Sequence, residues 1–407
     1  MPIFTKSFFV AALATISFSG AALADQTPIR IGVVGPVTGK SSEDNGQSII
    51  GGGRVFLADV NQIGGIMGRP VELVERDDQA NPEKGVAIAK ELIEKEKVVA
   101  VVGFGNTGVA LAAAKVFQDA KIPLIVSTAT GAAVTKNFMP PAYPTSYIFR
   151  TAASDAIQPI VILNDLIDRR KLEHIAVIHD ESPYGTAGKT NLLAELDKRG
   201  LKPVAVESFK VGDADLSAQL RRIKDTNAQA IVLYCLAGDA ANVAKTAERL
   251  QLRQTIVGPW TLSQDQFVVK AGSASDGART VVTYVENDAN STSSQFSLAY
   301  RRINKVTHIP SAVAAAQTYD ALRLVSLAIY QANSTDGDKI QQALENLNQH
   351  TVSTVVTRYY KPFSATDHEA ISLNIAVMGE IRNGKVIYAY KEDEKNGNIA
   401  RTKAPTK

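Results

Sequence analysis

The sequence predicts an α/β protein with two doubly wound lobes, and three observations lead to this prediction. Short apolar runs alternate with helical patterns from Arg30 onward, which is typical of parallel α/β units. The alternation restarts at His174, so the same architecture is built twice. The chain has 407 residues, which is more than a single hydrophobic core usually supports.

The first half of the chain contains the elements of the first predicted lobe. Predicted strands cover 31–34, 71–74, 98–102 and 124–127, and predicted helices cover 46–63 and 82–95. The helix at 82–95 is the best specified, because Asn81 is a suitable N-cap and Pro82 suits a first helical turn.

The second half repeats this pattern and then returns to helices. Predicted strands cover 174–179, 204–209, 230–234, 255–258 and 280–285, with helices starting near residues 185, 215 and 239. Helices at 293–306, 313–332 and 337–347 follow, and strand-like runs at 373–377 and 386–390 end the pattern. No long linker rich in Pro, Gly or Ser separates the halves, so several short crossings between the lobes are expected.

Composition and residue spacing argue against several classes of function. Hydrophobic residues make up 45% of the chain and charged residues 21%, as in ordinary globular proteins. The net charge is only +3, and no block of Lys or Arg would follow a phosphate backbone, so nucleic acid is not an expected partner. The five histidines lack ligand spacing, and the single cysteine, Cys235, lies in an apolar strand pattern. We therefore expect no metal, no cofactor and no catalytic residues.

The first 24 residues are predicted to be a secretory signal peptide. Lys6 supplies a positive start, an apolar stretch follows, and Ala22-Leu23-Ala24 is a cleavage signal before Asp25. The apolar stretch is interrupted by polar residues and falls short of the roughly 20 apolar residues that span a bilayer. We therefore expect cleavage after Ala24 and a mature protein that does not span the membrane.

A glycine-rich turn after the third strand is the first candidate ligand site. Gly103, Gly105 and Gly108 match the GxGxxG pattern between a strand and a helix, but no acidic residue follows the next strand to hold a ribose. Backbone N–H groups at a helix start favour any anion, including a carboxylate. A ligand anchor is the preferred interpretation, and a tight turn without a ligand is the alternative.

Five short motifs are distributed over both halves of the chain. They are Ile31-Gly-Val-Val-Gly-Pro-Val-Thr-Gly39, Asn61-Gln-Ile-Gly-Gly-Ile66-Met-Gly68, Asp77-Asp78, Ile178-His-Asp180 with Tyr184-Gly185, and Gln317-Thr-Tyr-Asp320. Together they resemble the periplasmic leucine/isoleucine/valine-binding proteins, the type I solute-binding family of ABC importers. The resemblance implies two lobes joined by three crossovers, which we expect near Ala153, Tyr284 and Arg358. It divides the chain into a first lobe of 25–153 plus 285–357 and a second lobe of 154–284 plus 358–407.

The same resemblance implies a ligand cleft at the carboxyl ends of the strands. In this family the first lobe holds the ligand carboxylate. The matching positions are Asn106, Thr107, Thr128, Ala129 and Thr130. Asn45, in the loop at 40–46, matches a position that covers the ligand's tail, and Tyr184 matches a tyrosine of the second lobe that closes over the ligand.

The sequence departs from the family where amino-acid binders hold the ligand ammonium group. Those proteins carry an acidic residue just after a Gly-Pro that ends a strand, whereas here Gly258-Pro259 is followed by Trp260. A buried ammonium group without a carboxylate partner is costly. We therefore hypothesise a carboxylate ligand without an α-amino group, such as an aromatic acid stacked between Trp260 and Tyr184. The alternatives are that Trp260 only packs the lobe, or that Asp265 or Asp239 supplies the acid.

These observations predict a periplasmic binding protein that delivers a small carboxylate to an ABC permease and its ATPase in the inner membrane. The alternative is a periplasmic ligand-sensing module of a receptor system, since the same fold serves in receptors. A repressor of this fold needs a DNA-binding motif before the first lobe, where this sequence has an export signal. An enzyme needs an assembled catalytic group, which the sequence lacks.

Overall fold

The computed structural model describes residues 27–39, 42–287, 291–348, 354–397 and 403. The predicted signal peptide and its cleavage site lie outside these residues. None of the described helices has the length and apolar character needed to cross a bilayer.

The sheet of the first lobe is parallel and, in the described residues, has five strands in the order β2-β1-β3-β4-β5. The strands are β1 (Ile29–Gly35), β2 (Val71–Asp77), β3 (Ala100–Gly103), β4 (Leu124–Val126) and β5 (Ile148–Arg150). The central strands β3 and β4 are buried along their whole length, as expected for strands covered by helices on both faces. The predicted strands of this lobe are confirmed, and β5 was not predicted.

Four helices connect these strands within the described part of the lobe. They are α1 (Glu43–Gln62), α2 (Pro82–Glu94), α3 (Thr107–Ala120) and α4 (Ala133–Lys136). The predicted cap of α2 is confirmed, because the Asn81 side chain accepts a hydrogen bond from the Lys84 amide.

The second sheet contains seven strands among the described residues, in the order β12-β11-β10-β9-β8-β6-β7. They are β6 (Ile175–Asp180), β7 (Ala205–Phe209), β8 (Ala230–Tyr234), β9 (Thr255–Gly258), β10 (Arg279–Val282), β11 (Val377–Arg382) and β12 (Lys385–Tyr388). Strands β6 to β10 are parallel, and β11 and β12 add an antiparallel edge. The run predicted as a strand at 373–377 begins only at Val377, so that prediction was wrong.

The helices of the second lobe precede or connect its parallel strands. They are α5 (Gln158–Leu163), which continues as a π-helical turn over Asn164–Arg169, α6 (Pro183–Lys198), α7 (Ser217–Lys224), α8 (Ala237–Arg249) and α9 (Asp265–Ala271). A further short helix, Lys391–Gly397, follows β12 near the end of the described chain.

Three helices after β10 return to the first lobe. They are α10 (Ser291–Asn304), α11 (Ala312–Ala332) and α12 (Gly337–Glu345). Helix α11 packs closely against α1, where a Cβ atom on Gly52 would lie 2.3 Å from the Ala315 carbonyl oxygen. Only glycine permits this approach of the two backbones. The chain therefore crosses from one lobe to the other after β5, after β10 and before β11. The predicted two-lobed α/β fold is confirmed.

The segment before β11 stays in contact with the first lobe over much of its length. The Tyr359 hydroxyl donates to Asp320 of α11 at 3.1 Å, and the Ala370 amide donates to the Arg150 carbonyl at 2.9 Å. Arg150 is completely buried, and its guanidinium donates to the Glu369 carboxylate at 2.8 and 2.5 Å. The same guanidinium donates to the Gly131 carbonyl at 2.7 Å. This ion pair ties the segment to the turn that follows β4.

Candidate ligand-binding site

A small cavity lies between the two lobes, at the carboxyl ends of strands from both sheets. This is where open α/β sheets bind ligands. The first lobe contributes residues that follow β1, β3 and β4, and the second lobe contributes residues that follow β6, β8 and β9. The lining residues are Ser42, Asn45, Gly105, Asn106, Thr107, Thr128, Thr130, Tyr184, Leu236, Ala237, Trp260, Thr261 and Gln264.

The structure brings seven of the eight predicted site residues together around this cavity. They are Asn45, Asn106, Thr107, Thr128, Thr130, Tyr184 and Trp260. The eighth, Ala129, does not line the cavity, because its side chain packs into the core of the first lobe. Its amide donates to the Phe104 carbonyl at 3.1 Å, so that N–H group is already used within the turn.

Several lining residues were not predicted from the sequence, among them the polar residues Thr261 and Gln264. Both follow β9, in and just after a 3-10 turn over Trp260–Ser263. Their position after the end of a parallel strand was the available signal. Lys40 and Ser41, in the loop predicted to cover the ligand's tail, lie outside the described residues.

Close backbone contacts explain the glycine-rich turn of the first lobe. Gly103 has φ +139°, and a Cβ atom there would lie 2.1 Å from the Val34 carbonyl oxygen. A Cβ atom on Gly105 would lie 2.6 Å from both Pro36 and Asn45. The motif therefore allows the loops after β1 and β3 to approach each other, which is a different use from holding a dinucleotide.

The start of helix α3 opens into the cavity beside this turn. The N-cap residue Asn106 makes no side-chain cap hydrogen bond, so the N–H groups of the first turn keep their capacity to donate. The Thr107 hydroxyl oxygen accepts from the Gly131 amide at 3.2 Å, which leaves the hydroxyl proton free to point elsewhere. The Thr128 hydroxyl donates to the Phe104 carbonyl at 3.0 Å and so fixes the neighbouring turn.

Two aromatic side chains form the facing wall on the second lobe. Tyr184 lies in the first turn of α6, and its ring packs against Tyr234 with centroids 5.6 Å apart. The Trp260 amide donates to the Gln158 side chain at 3.0 Å, which ties the turn after β9 to the start of α5. The hydroxyl of Tyr234 donates to the buried Asp155 carboxylate at 3.0 Å. The second-lobe wall is therefore anchored to the segment that leaves β5 through Gln158 and Asp155.

Six buried polar atoms of the lining side chains make no hydrogen bond of ordinary geometry with the described residues. They are Asn45 Oδ1, Asn106 Oδ1, Thr130 Oγ1, Tyr184 Oη, Trp260 Nε1 and Thr261 Oγ1. Thr130 lies close to Asp155, and Tyr184 lies close to Thr261. Buried polar groups are normally hydrogen-bonded, so the atoms of Asn45, Asn106 and Trp260 indicate a site for a polar ligand.

The described residues that line the cavity carry no formal charge. Asp239 and Asp265, the two acids considered as ammonium partners, do not line it. Asp239 instead accepts from the Gly212 amide at 3.2 Å, and burial raises its pKa to about 6. Asp265 lies 2.5 Å from the His308 ring. The described residues contain no cluster of three or more His, Cys, Asp or Glu that could hold a metal ion.

Hydrogen bonds across the cleft show that the two lobes are closed on each other. The Gln266 amide of α9 donates to the Asp44 carboxylate of α1 at 2.5 Å, and the Gln266 side chain donates to Glu43. The Asp265 amide also donates to the Pro310 carbonyl at 2.9 Å. Burial in this contact raises the pKa of Asp44 from 3.8 to about 6, with the nearby charges of Asp265 and Glu43 adding to the effect and the Gln266 bond opposing it.

The Asp44 contact predicts a pH dependence of ligand binding. When the lobes open, Asp44 regains water and its ordinary pKa, so the closed form binds more protons between pH 4 and 6. Closure is therefore less favourable as pH rises through this range, and ligand affinity is expected to fall by about tenfold at most, given the partial exposure of the group. Dissociation constants measured from pH 5 to 7.5 should show this fall, and Asp44→Asn should flatten it. An affinity that rises with pH in wild type alone would contradict the prediction.

Comparison with known proteins is consistent with this arrangement of lobes and cavity. The Leu/Ile/Val-binding protein homolog 3 of Brucella melitensis is 28% identical over 327 residues, which cover 80% of this chain and 84% of that protein. The substrate-binding protein LivJ of the branched-chain amino acid transporter of Streptococcus pneumoniae, solved with isoleucine, is 24% identical with a TM-score of 0.75 and covers 88% of this chain and 98% of that chain.

A solved structure with an aromatic ligand has the same fold. It is a solute-binding protein of an ABC transporter from R. palustris in complex with benzoate, 21% identical with a TM-score of 0.75, covering 89% of this chain and 96% of that chain. A family model described as periplasmic binding protein matches residues 28–384. The resemblance inferred from the sequence motifs is therefore confirmed, and the chain belongs to the periplasmic binding protein family.

Proposed function

We propose that this chain is the extracytoplasmic solute-binding protein of an ABC importer and that it captures a small carboxylate without an α-amino group. The observation that carries this proposal is the cavity itself, which combines hydrogen-bond donors and two aromatic rings with no formal charge among its described residues. Delivery to a membrane permease and its ATPase is part of the proposal.

In this proposal the first lobe holds the carboxylate. The N–H groups at the start of α3 and the hydroxyls of Thr107 and Thr130 supply donors for an anion without a balancing cation. The Thr130 hydroxyl is buried in the cavity wall, where it also lies close to the carboxylate of Asp155. Thr128 acts indirectly, since its hydroxyl is bonded within the turn.

The second lobe covers the body of the ligand in this proposal. Trp260 and Tyr184 are 6% exposed each and present ring surfaces to the cavity. The two solved neighbours hold isoleucine and benzoate, which share a carboxylate but differ in the ammonium group. Because neither Asp239 nor Asp265 lines the cavity, a ligand of the benzoate kind fits this chain better than an amino acid.

We propose crossovers between the lobes near Ala153, near Tyr284 and after Ala370. The third lies later than the sequence-based estimate of Arg358, because the bonds of Tyr359 and Ala370 keep this segment on the first lobe. The lobe boundaries change accordingly, so that the first lobe includes residues up to about 370.

A thermal-shift screen of the purified mature protein tests the proposed function. Ligands that bind only the folded protein raise its melting temperature by mass action. Benzoate and related ring acids should raise it, whereas leucine and neutral amides such as benzamide should not. The shift should be reduced in Thr130→Val and kept in Thr190→Val, which changes an α6 residue outside the cavity. A shift with benzamide equal to that with benzoate would exclude a carboxylate site.

Export to the periplasm with removal of residues 1–24 is a further expected result. The charged start, the apolar stretch and the Ala22-Leu23-Ala24 signal support it. Intact-mass analysis of protein from a periplasmic extract should give a chain that begins at Asp25. A chain from that extract that still contains Phe8 and Phe9 would contradict the predicted cleavage.

A further inference from the structure

The side chain of Asn45 has one end fixed and one end free. Asn45 lies in the first turn of α1 and is 3% exposed. Its Nδ2 donates to the Gly105 carbonyl at 3.1 Å. Because a carbonyl oxygen only accepts hydrogen bonds, this contact determines which way the amide is turned. The atom left without a partner among the described residues is therefore the oxygen, Oδ1.

An amide oxygen in this position needs a donor from the ligand. Oδ1 can only accept, so a carboxylate oxygen cannot satisfy it, and an apolar ring edge would bury it without a partner. The Asn106 amide also has one end bonded, to the Ser42 hydroxyl at 3.0 Å, and one end without a described partner. A hydroxyl can donate or accept, so only the Asn45 contact fixes an oxygen toward the cavity. The cavity wall thus offers an acceptor as well as the donors assigned to the carboxylate.

A neutral group of the ligand is a better donor for Asn45 Oδ1 than a charged group. An ammonium group would need an anionic partner to offset the loss of its hydration, and the described lining residues include no acid. A hydroxyl group supplies a donor without this cost. Its own oxygen can accept in turn from another donor of the same cavity such as Trp260 Nε1, which also lacks a described partner.

We infer that the ligand is a hydroxylated ring carboxylate and that Asn45 Oδ1 selects it by accepting a hydrogen bond from the ring hydroxyl. This inference rests on the proposed function, which assigns the carboxylate to the first lobe. It adds a specificity-determining residue, Asn45, and divides the ligand into an anionic group and a neutral donor group.

Calorimetric titration of wild-type mature protein with benzoates substituted at one position tests the inference without changing the protein. The substituents are hydroxyl and amino, which donate, and methoxy and fluoro, which do not, each at the 2, 3 and 4 positions. At one ring position the donating substituents should bind about tenfold more tightly than unsubstituted benzoate, and methoxy and fluoro should not gain. Equal binding of hydroxy- and fluorobenzoate at every position would overturn the inference while leaving the carboxylate site intact.

The Asn45→Ala variant then tests whether Asn45 is the residue that selects the ring hydroxyl. It should bind unsubstituted benzoate with little change and reduce the preference for the hydroxylated acid to less than about threefold. Asn61→Ala is the matched control, because Asn61 makes two side-chain hydrogen bonds to Val71 outside the cavity and its loss should leave the preference unchanged. A full preference that survives in Asn45→Ala would overturn the role of Asn45. Failure of wild type to bind any of these acids would instead reject the ligand class of the proposed function.

Discussion

Replacing Arg150 by methionine is expected to lower the free energy of unfolding by about 3 to 4 kcal/mol, near the lower end for breaking a buried ion pair. Arg150 is completely buried, and its removal leaves the Glu369 carboxylate without its partner. The lower end applies because the Glu369 side chain is 24% exposed and keeps some water. The Gly131 carbonyl and the Ser154 hydroxyl each lose a hydrogen bond as well. Urea unfolding followed by circular dichroism measures the change.

A matched surface pair gives the control for this substitution. Arg54 pairs with Glu75 at 2.6 Å, but the two side chains are 49% and 30% exposed, so Arg54→Met should cost about 1 kcal/mol at most. Adding Glu369→Gln to Arg150→Met should recover at least about 1 kcal/mol, because the unpaired charge is then gone. Equal losses in Arg150→Met and Arg54→Met would show that the buried pair does not stabilise the fold.

Thr107→Val and Thr130→Val are each expected to weaken ligand binding tenfold or more. A hydrogen bond to a charged group contributes roughly 1.5 to 3 kcal/mol, and valine keeps the shape of threonine without the donor. Both side chains are buried in the cavity wall, at 3% and 2% exposure. Dissociation constants from calorimetry with benzoate, or with the best acid of the thermal-shift screen, measure the effect.

Thr190→Val controls for the loss of a threonine hydroxyl elsewhere. The Thr190 hydroxyl donates to the Thr186 carbonyl within α6, at an exposed position outside the cavity, so this variant should bind like wild type. If both cavity variants retain wild-type affinity, the carboxylate is held somewhere other than at these two hydroxyls.

Much of the fold was predictable because apolar strands of a parallel sheet are continuous in sequence. The strands at 230–234 and 255–258 have the predicted bounds, since each is an apolar run between clear turns. Strand β5 was missed because it has only three residues and one of them is Arg150. A buried arginine looks like a surface residue until its partner is known, and Glu369 lies 219 positions away in the chain.

The candidate site was predictable as a set of positions, but its hydrogen bonding was not. Family resemblance located seven of the residues that line the cavity. It also included Ala129, whose amide is used by the Phe104 carbonyl, a bond that sequence alone does not reveal. The free oxygen of Asn45 was equally hidden, because it depends on the contact of Nδ2 with Gly105, 60 positions away.

Calorimetric titration of the mature protein with benzoate and with leucine tests the central proposal most directly. Both ligands carry a carboxylate, and only leucine carries an ammonium group that needs an acidic partner. Because the described lining residues include no acid, benzoate or a hydroxylated derivative should bind and leucine should bind at least about tenfold more weakly. Tight leucine binding that persists in Trp260→Ala would contradict the proposal, since it would require an ammonium site that the described cavity does not contain.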